Sequence, residues 1–432
     1  MKNSQKNKIT FIDLCCGLGG IRIGFEQACQ QLGYDSQCVF YADIKLTALK
    51  AYQRNFHDDI FDVTKCDIKK TDPTNIPDFD FLLAGFPCQP FSNAGKRLGF
   101  EDTRGTLFFH IANIIKEKKP TGFLLENVEG LVTHQKGKTL ETILNVLNDL
   151  EYHVEFKILN ACDFGVAQHR NRIYIIGRND RKPKPLSDFH ESHSCIRDII
   201  DESVPAVETE FTQKLLKTFS ITDLYGKAIK DKRGGKNNIH SWDIALKGSV
   251  SKNEKQFLDI LLKERRKKHW AEKIGIDWMD GMPLTEKMIR TFYDVPDLHE
   301  MLLFLTEKGY LKYEHPKKRI KNENGNTVRV RDTTLEKGYN IVSGKLSFEF
   351  SFILNPDGIA PTLVATDMER IGVPVHNGIR KLTVKEGLKL FGFPEWYTLD
   401  FIKEREAFDL LGNSVCVPVI KEVSLKLLED NS

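Results

Sequence analysis

A doubly wound α/β fold, with a mostly parallel sheet covered by helices on both faces, is predicted by two features of residues 8 to 180. Short apolar runs alternate with helix-period stretches, and several of the runs end in a carboxylate or a glycine turn. Ile9 to Leu14, Cys38 to Ala42, Phe79 to Ala84, Gly122 to Leu125 and Arg172 to Gly177 read as strands. Between them, Ile21, Phe25, Ala28 and Leu32 recur at helical spacing before Gly33. Leu107, Ile111, Ile114 and Ile115 do so before Pro120, and Leu140, Ile143, Leu144 and Leu147 form a third stripe. These stripes are packing faces. In such a sheet ligands bind in the crevice beyond the carboxyl ends of the strands, so functional residues are expected just after the apolar runs.

The 432 residues suffice for two domains, and a hydrophobic content of 41% supports at least one large core. No window approaches the roughly 18 apolar residues of a membrane span. The polar start, Met1 to Lys6, has no signal-peptide apolar region, so a cytoplasmic location is expected. Nine cysteines without a CxxC pair suggest a reducing compartment, with neither a disulfide framework nor a metal site. Net charge is +3, but residues 225 to 334 carry 24 Lys and Arg against 16 Asp and Glu. That excess fits a polyanionic partner, and it also fits solvated helix faces such as Lys263-Glu264-Arg265-Arg266-Lys267-Lys268.

The strand and helix alternation breaks at Arg181-Lys182-Pro183-Lys184-Pro185, so a second domain is expected from residue 186. Asn253 to Trp270 reads as helical. A helix over Leu298 to Lys308, followed by the basic and β-forming stretch Tyr310 to Arg331, suggests a helix with a β-wing, a shape that grips nucleic acid. From Arg380 helical periodicity returns and ends in Gly412-Asn413-Ser414-Val415 and a last helix, Val417 to Leu428.

Gly85-Phe86-Pro87-Cys88-Gln89-Pro90-Phe91-Ser92 sets a cysteine between two prolines just after an apolar run. Proline fixes φ and lacks a donor, so Pro87 and Pro90 end the strand and hold Cys88 in a defined loop, as a candidate nucleophile. Asp13-Leu14-Cys15-Cys16-Gly17-Leu18-Gly19-Gly20 follows the first strand and opens the first helix, where glycines admit a ligand to the backbone. Asp43 ends the second strand, a position suited to ribose hydroxyls, and Asp67 is placed to accept from an adenine amino group. The glycine spacing is not the full GxGxxG, which disfavours a pyrophosphate; NAD, FAD and S-adenosylmethionine all remain open on these residues alone. Glu126 ends another apolar strand and so shares a sheet edge with Cys88. Arg170 and Arg172, two apart before a strand, point the same way.

The ordered set GFPCQPFS, Gly99 to Gly105, Glu126-Asn127-Val128, the QxRxR pattern from Gln168 to Arg172, and Gly412 to Val415 resembles the signature motifs of the DNA (cytosine-5)-methyltransferase family. The resemblance covers residues 8 to 180 and 380 to 428 and is nearest to bacterial restriction-modification methyltransferases. It implies a Rossmann-like S-adenosylmethionine-dependent methyltransferase domain over residues 1–185. A target-recognition, DNA-binding domain would span 186–378, and a C-terminal segment, 379–432, would return to the catalytic domain. By the same resemblance Cys88, as thiolate, adds to C6 of a cytosine flipped out of duplex DNA, turning a poor nucleophile at C5 into an enamine. Glu126 hydrogen-bonds N3 and the exocyclic amine, and Arg170 and Arg172 orient the base. S-adenosylmethionine gives the methyl group and leaves as S-adenosylhomocysteine. Its implied contacts are Asp13, Cys15, Gly17, Leu18, Gly19, Gly20, Asp43, Ile44, Asp67, Ile68, Pro87, Leu107, Asn413 and Val415. Ser92, Arg104 and Thr362 are implied DNA contacts, with Asn93 to Arg97 in a loop that closes over the base.

Two departures stand out. Cys15 occupies a position where the family usually has phenylalanine, and Asp43 and Ile44 replace a glutamate and an aromatic residue, so looser adenosine packing is expected. The resemblance further implies a monomer that acts on double-stranded DNA, without membrane or metal, paired with a cognate restriction endonuclease in a bacterial cytoplasm. A transfer-RNA cytosine-5 methyltransferase shares nearly the same catalytic set, but lacks a basic recognition segment of this length. A nicotinamide-dependent oxidoreductase would use the glycine turn and leave Cys88, Glu126 and both arginines unexplained. A DNA-binding protein with a dead site conflicts with the full catalytic set.

Overall fold

The computed structural model describes residues 8–57, 67–88, 107–232, 234–322, 327–343, 348–376 and 378–430. The chain forms two compact units. One comprises residues 1–201, 356–369 and 382–432; the other comprises 202–355 and 370–381. The division thus falls beyond the proline-bearing linker, and residues 356–369 return to the first unit.

The first unit alternates β1 (Lys8–Leu14), α1 (Gly20–Gln31), β2 (Asp35–Ala42), α2 (Leu46–Phe56), β3 (Phe81–Gly85), α3 (Leu107–Lys118), β4 (Gly122–Val128), α4 (Lys138–Asp149), β5 (His153–Asn160) and β6 (Asn171–Arg178). Its six-stranded sheet has the order β2-β1-β3-β4-β6-β5. β2, β1, β3 and β4 are parallel, and β6 runs antiparallel to both neighbours. The central strands are buried on both faces, as their unbroken apolar runs require: Phe81, Leu82, Leu83 and Ala84 of β3 and Phe123, Leu124 and Leu125 of β4 lie in the core. The stripes Ile111, Ile114 and Ile115 of α3 and Leu140, Ile143 and Leu147 of α4 close one face.

The second unit contains α5 (Glu210–Thr218), β7 (Ala228–Ile229), β8 (Asn238–Ile239), α6 (Lys252–Glu264), α7 (Lys268–Ile274), α8 (Glu286–Ile289) and α9 (Leu298–Glu307). β9 (Leu311–Glu314), β10 (Lys317–Lys321), β11 (Thr327–Arg331), β12 (Gly338–Ile341), β13 (Phe352–Ile353), β14 (Ile371–Val375) and β15 (Gly378–Lys381) follow. Asn253 to Trp270, expected as one helix, is two helices separated by a short turn. α6 starts on a capping box in which Ser251 and Glu254 satisfy each other's backbone N–H. A helix followed by a β-hairpin is present where the basic stretch suggested it, as α9 and β10–β11.

The chain then re-enters the first unit with α10 (Val384–Lys389), α11 (Glu404–Gly412) and α12 (Val417–Leu428). α12 lies along α1, and the approach is close because Gly24 has no side chain. A Cβ there would stand 2.6 Å from Ile420 Cβ and 2.9 Å from the backbone nitrogen of Lys421. Gly24→Ala is therefore expected to destabilise the protein. Overpacking costs about 1–3 kcal/mol, offset by about 1 kcal/mol of helix propensity, so the denaturant midpoint should fall. Gly130→Ala, where a Cβ meets nothing within 4 Å, should leave the midpoint unchanged.

Candidate active site

A cavity of about 920 Å³ opens at the carboxyl edge of the parallel strands of the first unit. Cys15 and Gly17 come to it from the end of β1, Asp43 and Ile44 from the end of β2, Gly85 to Cys88 from β3, and Glu126 to Val128 from β4. Arg170 and Arg172 enter from the start of the antiparallel β6, and residues 410 and 412–414 from the end of α11. Parallel register does this: Gly85 pairs with Glu126, so the loop after β3 and the last turn of β4 end side by side.

Cys88 is half-buried and packed against the core. The backbone before it is pinned by buried Asn127, whose Nδ2 donates to the Phe86 carbonyl at 2.8 Å. Asn127 is visible in the sequence only as the middle of a motif; its positioning role depends on the strand register. Burial pushes the Cys88 thiol above the usual cysteine range, so in the free protein it is held as the thiol at neutral pH. Glu126 is also buried, and burial raises its carboxyl, with Arg172 and then Arg170 pulling it back down. Arg172 Nε stands 3.1 Å from Glu126 Oε1, both side chains being largely buried.

Arg170 and Arg172 are not surface salt-bridging residues. Arg170 is 2% exposed. Its guanidinium donates to the carbonyls of Leu363 at 2.9 Å, Gly412 at 3.2 Å and Ser414 at 2.6 Å. Gln168, the first residue of the same pattern, donates to the Leu390 carbonyl and accepts from the Leu363 N–H. The two side chains fasten the returning segments to the sheet, a function that separation along the sequence conceals.

Of the expected cofactor contacts, Cys15, Gly17, Asp43, Ile44, Asp67, Ile68, Pro87, Leu107 and Asn413 line the cavity. Gly17 has φ 53° and nothing nearer than the Cys15 carbonyl at 4.0 Å where a Cβ would stand, so backbone is open to a ligand there. Asp43 fixes that turn: its carboxylate accepts from the N–H groups of Gly17 at 3.0 Å and Lys45 at 2.8 Å. Ile44 is 79% exposed, an apolar side chain on the cavity wall. Asp13, Leu18, Gly19, Gly20 and Val415 do not line the cavity. Asp13 is fully buried, accepts from the Tyr52 hydroxyl at 3.1 Å, and burial raises its carboxyl strongly. Gly19 and Gly20 are small because side chains crowd them: a Cβ would meet Phe56 at 2.4 Å and Val415 at 2.8 Å respectively. Thr362 is exposed and its hydroxyl donates to the His169 carbonyl at 2.7 Å. Ser92, Arg104 and the Asn93 to Arg97 loop lie outside the described residues.

A doubly wound sheet with one reversed strand and a ligand cavity at its carboxyl edge defines a methyltransferase fold of the α/β class. The structure is similar over 98% of this chain, and 100% of the other, to a mutant DNMT2 from Spodoptera frugiperda, with a TM-score of 0.51 and 19% identity, a likeness of fold alone. The model of the C-5 cytosine-specific DNA methylases matches residues 9–429, and the chain belongs to that family. It is 56% identical over 429 residues to the type II methyltransferase M.NlaIV of Neisseria lactamica, covering 98% of this chain and 99% of that protein. It is 39% identical over 447 residues to M.BanI of Aneurinibacillus aneurinilyticus, covering 98% and 96%. Membership of this family removes the nicotinamide-dependent oxidoreductase reading.

The burial of Glu126 has a measurable consequence. A carboxyl raised in the folded state favours folding at low pH and loses that contribution as pH climbs from the ordinary glutamate range to its raised value, with no further change above it. Glu126→Gln should match the wild-type stability below the ordinary glutamate range and exceed it progressively through that window in denaturant titrations. A constant difference at all pH values would contradict the assignment.

Proposed function

We propose that this protein transfers a methyl group from S-adenosylmethionine to C5 of a cytosine flipped out of a specific duplex DNA sequence, through a transient bond between Cys88 and C6. The observation that carries this reading is the convergence of Cys88, Glu126, Arg172 and an open glycine turn on one cavity. The donor set suits S-adenosylmethionine: an accessible backbone at Gly17, the exposed apolar Ile44, and the acidic Asp67 on a cavity large enough for a nucleoside. Cys15, Asp43, Ile68, Pro87, Leu107 and Asn413 would complete its surroundings. When bound, the cofactor supplies an electrophilic methyl group on a sulfonium.

The chain's own residues prepare the cytosine. As the Cys88 thiol loses its proton, its sulfur bonds to C6 and the C5–C6 π electrons become the enamine that attacks from C5. Glu126, whose carboxyl burial holds towards the protonated form, gives a proton to N3 as negative charge enters the ring. Arg172, paired to Glu126, keeps that carboxyl oriented and favours its anion once the proton has gone. Loss of the C5 proton to solvent, with N3 returning its proton to Glu126, then expels Cys88 and restores the aromatic ring. Flipping costs a few kcal/mol of stacking and pairing, about what base and phosphate contacts offset. The likeness to type II methyltransferases along nearly the whole chain supports a place beside a restriction endonuclease, with methylation protecting the same sequence.

Duplex DNA carrying 5-fluorocytosine at the target should trap the Cys88 bond, because fluorine cannot leave as a proton does. The expected result is an adduct stable to denaturing electrophoresis with wild type and none with Cys88→Ser, whose methylation rate falls by at least about 10³-fold. An adduct that survives Cys88→Ser would assign the nucleophile elsewhere.

A further inference from the structure

The middle of the second unit has a recognisable chain order. After α6 and α7, Leu284 makes an antiparallel bridge to Tyr339 of β12. Then come α8 and α9, β9, the β10–β11 hairpin, and β12, which pairs antiparallel with β9. Helix, edge bridge, two helices, strand, hairpin and strand, with the last strand central, is the order of a winged helix. α6, α8 and α9 share its core through Phe257, Leu261, Ile289, Leu298, Leu302 and Leu305.

In helix-turn-helix proteins of this general plan the second helix enters the major groove. Here charge argues against it. The outward residues of α9 are His299, Glu300, Leu303, Phe304 and Glu307, two carboxylates and two apolar side chains without Lys or Arg among them. The hairpin is the opposite. Lys317 pairs with Arg331, Arg319 with Arg329, and Lys321 with Thr327, and directly opposed residues share a face. Five cations therefore lie on one side of a two-stranded ribbon. The other side carries Ile320, Val328 and Val330, the two valines half-buried and Lys318 paired with Asp332 at 3.3 Å. On the cationic side Arg319 stands 3.9 Å from Asp277 and Arg329 donates to the Trp278 carbonyl at 3.0 Å, whereas among the described residues no carboxylate lies within ion-pair distance of Lys317, Lys321 or Arg331.

Two like-charge pairs directly across a hairpin oppose its formation unless an anion lies over them. We infer that the β10–β11 wing is a phosphate clamp for duplex DNA, and that the wing, in place of α9, holds this unit to the nucleic acid. The inference rests on the proposed DNA substrate and adds the element that grips it. Such contacts fix position and register without reading bases.

The test is a salt titration of binding to a short mixed-sequence duplex, using the full chain. Every phosphate that is no longer neutralised makes the slope of log affinity against log salt shallower by about 0.9. The triple variant Arg319→Gln, Arg329→Gln, Arg331→Gln should bind more weakly, with a slope shallower by about 2 to 3. The corresponding triple Lys variant should keep the wild-type slope, and Leu303→Ala with Phe304→Ala on α9 should bind as wild type. Because the Gln variant also removes the contacts of Arg319 with Asp277 and of Arg329 with the Trp278 carbonyl, the single variant Arg331→Gln should by itself make the slope shallower by about 0.9 at an unchanged melting temperature; an unchanged slope there would overturn the assignment. So would unchanged affinity and slope in the Gln variant, or an equal loss in the Lys variant. If the wild-type chain itself shows no salt-dependent affinity for duplex DNA, the DNA-substrate reading fails instead.

Discussion

The buried guanidinium of Arg170 is the fastening on which the site depends. It stands at the start of the reversed strand and reaches carbonyls of Leu363, Gly412 and Ser414, groups that the chain visits only after building most of the second unit. A charged donor satisfying buried carbonyls contributes about 1.5–3 kcal/mol per bond, and the Phe391 ring lies 5.0 Å from the guanidinium carbon. Gly412 lets the backbone of residues 364 and 365 pack against it, for a Cβ there would stand 2.1 Å from the Ala365 nitrogen. Without this closure residues 412 to 414 would not form a wall of the cavity.

Within that closed edge, electrostatics divides the labour between neighbouring side chains. Arg172 is the partner of Glu126, whereas Arg170 has both terminal nitrogens engaged by backbone carbonyls, although the two arginines are alike in sequence. Burial of Cys88 and Glu126 raises both groups. The free site therefore holds Cys88 as the thiol and biases the Glu126 carboxyl towards its protonated form, which suits the proposed transfer of a proton to N3. In the proposed reaction the thiolate is therefore generated once substrate is bound.

The sheet is legible in the sequence because its central strands are buried on both faces and write themselves as unbroken apolar runs. β5, His153–Asn160, is not, because it is an edge strand whose His153, Glu155 and Lys157 interrupt any such run. α2 is equally hard to see: its buried face includes Asn55 and Tyr52 beside small alanines, a weak stripe. At the site, residues at strand ends are legible because the fold class fixes what strand ends do. The glycine run is harder. Gly17 faces the cavity while Gly19 and Gly20 face Phe56 and Val415, and a sequence cannot distinguish a glycine kept small for a ligand from one kept small for a neighbouring side chain. Likewise Asp13, expected as a ligand contact, is buried under Tyr52. The roles of Gln168 and Asn127 depend on partners brought together only by folding.

The second unit illustrates the same limit from the other side. Its positive charge can be counted from the sequence, but alternation along β10 and β11 decides that the charge lies on one face. Cys88 is proposed to activate a cytosine for methylation at C5 in a defined duplex sequence. Base-resolution mapping of 5-methylcytosine in the DNA of cells expressing the chain tests it most directly. One short sequence should be methylated at a single cytosine position with wild type and unmethylated with Cys88→Ser. Unmethylated cytosines throughout despite folded wild-type protein, or methylation that persists in Cys88→Ser, would contradict it.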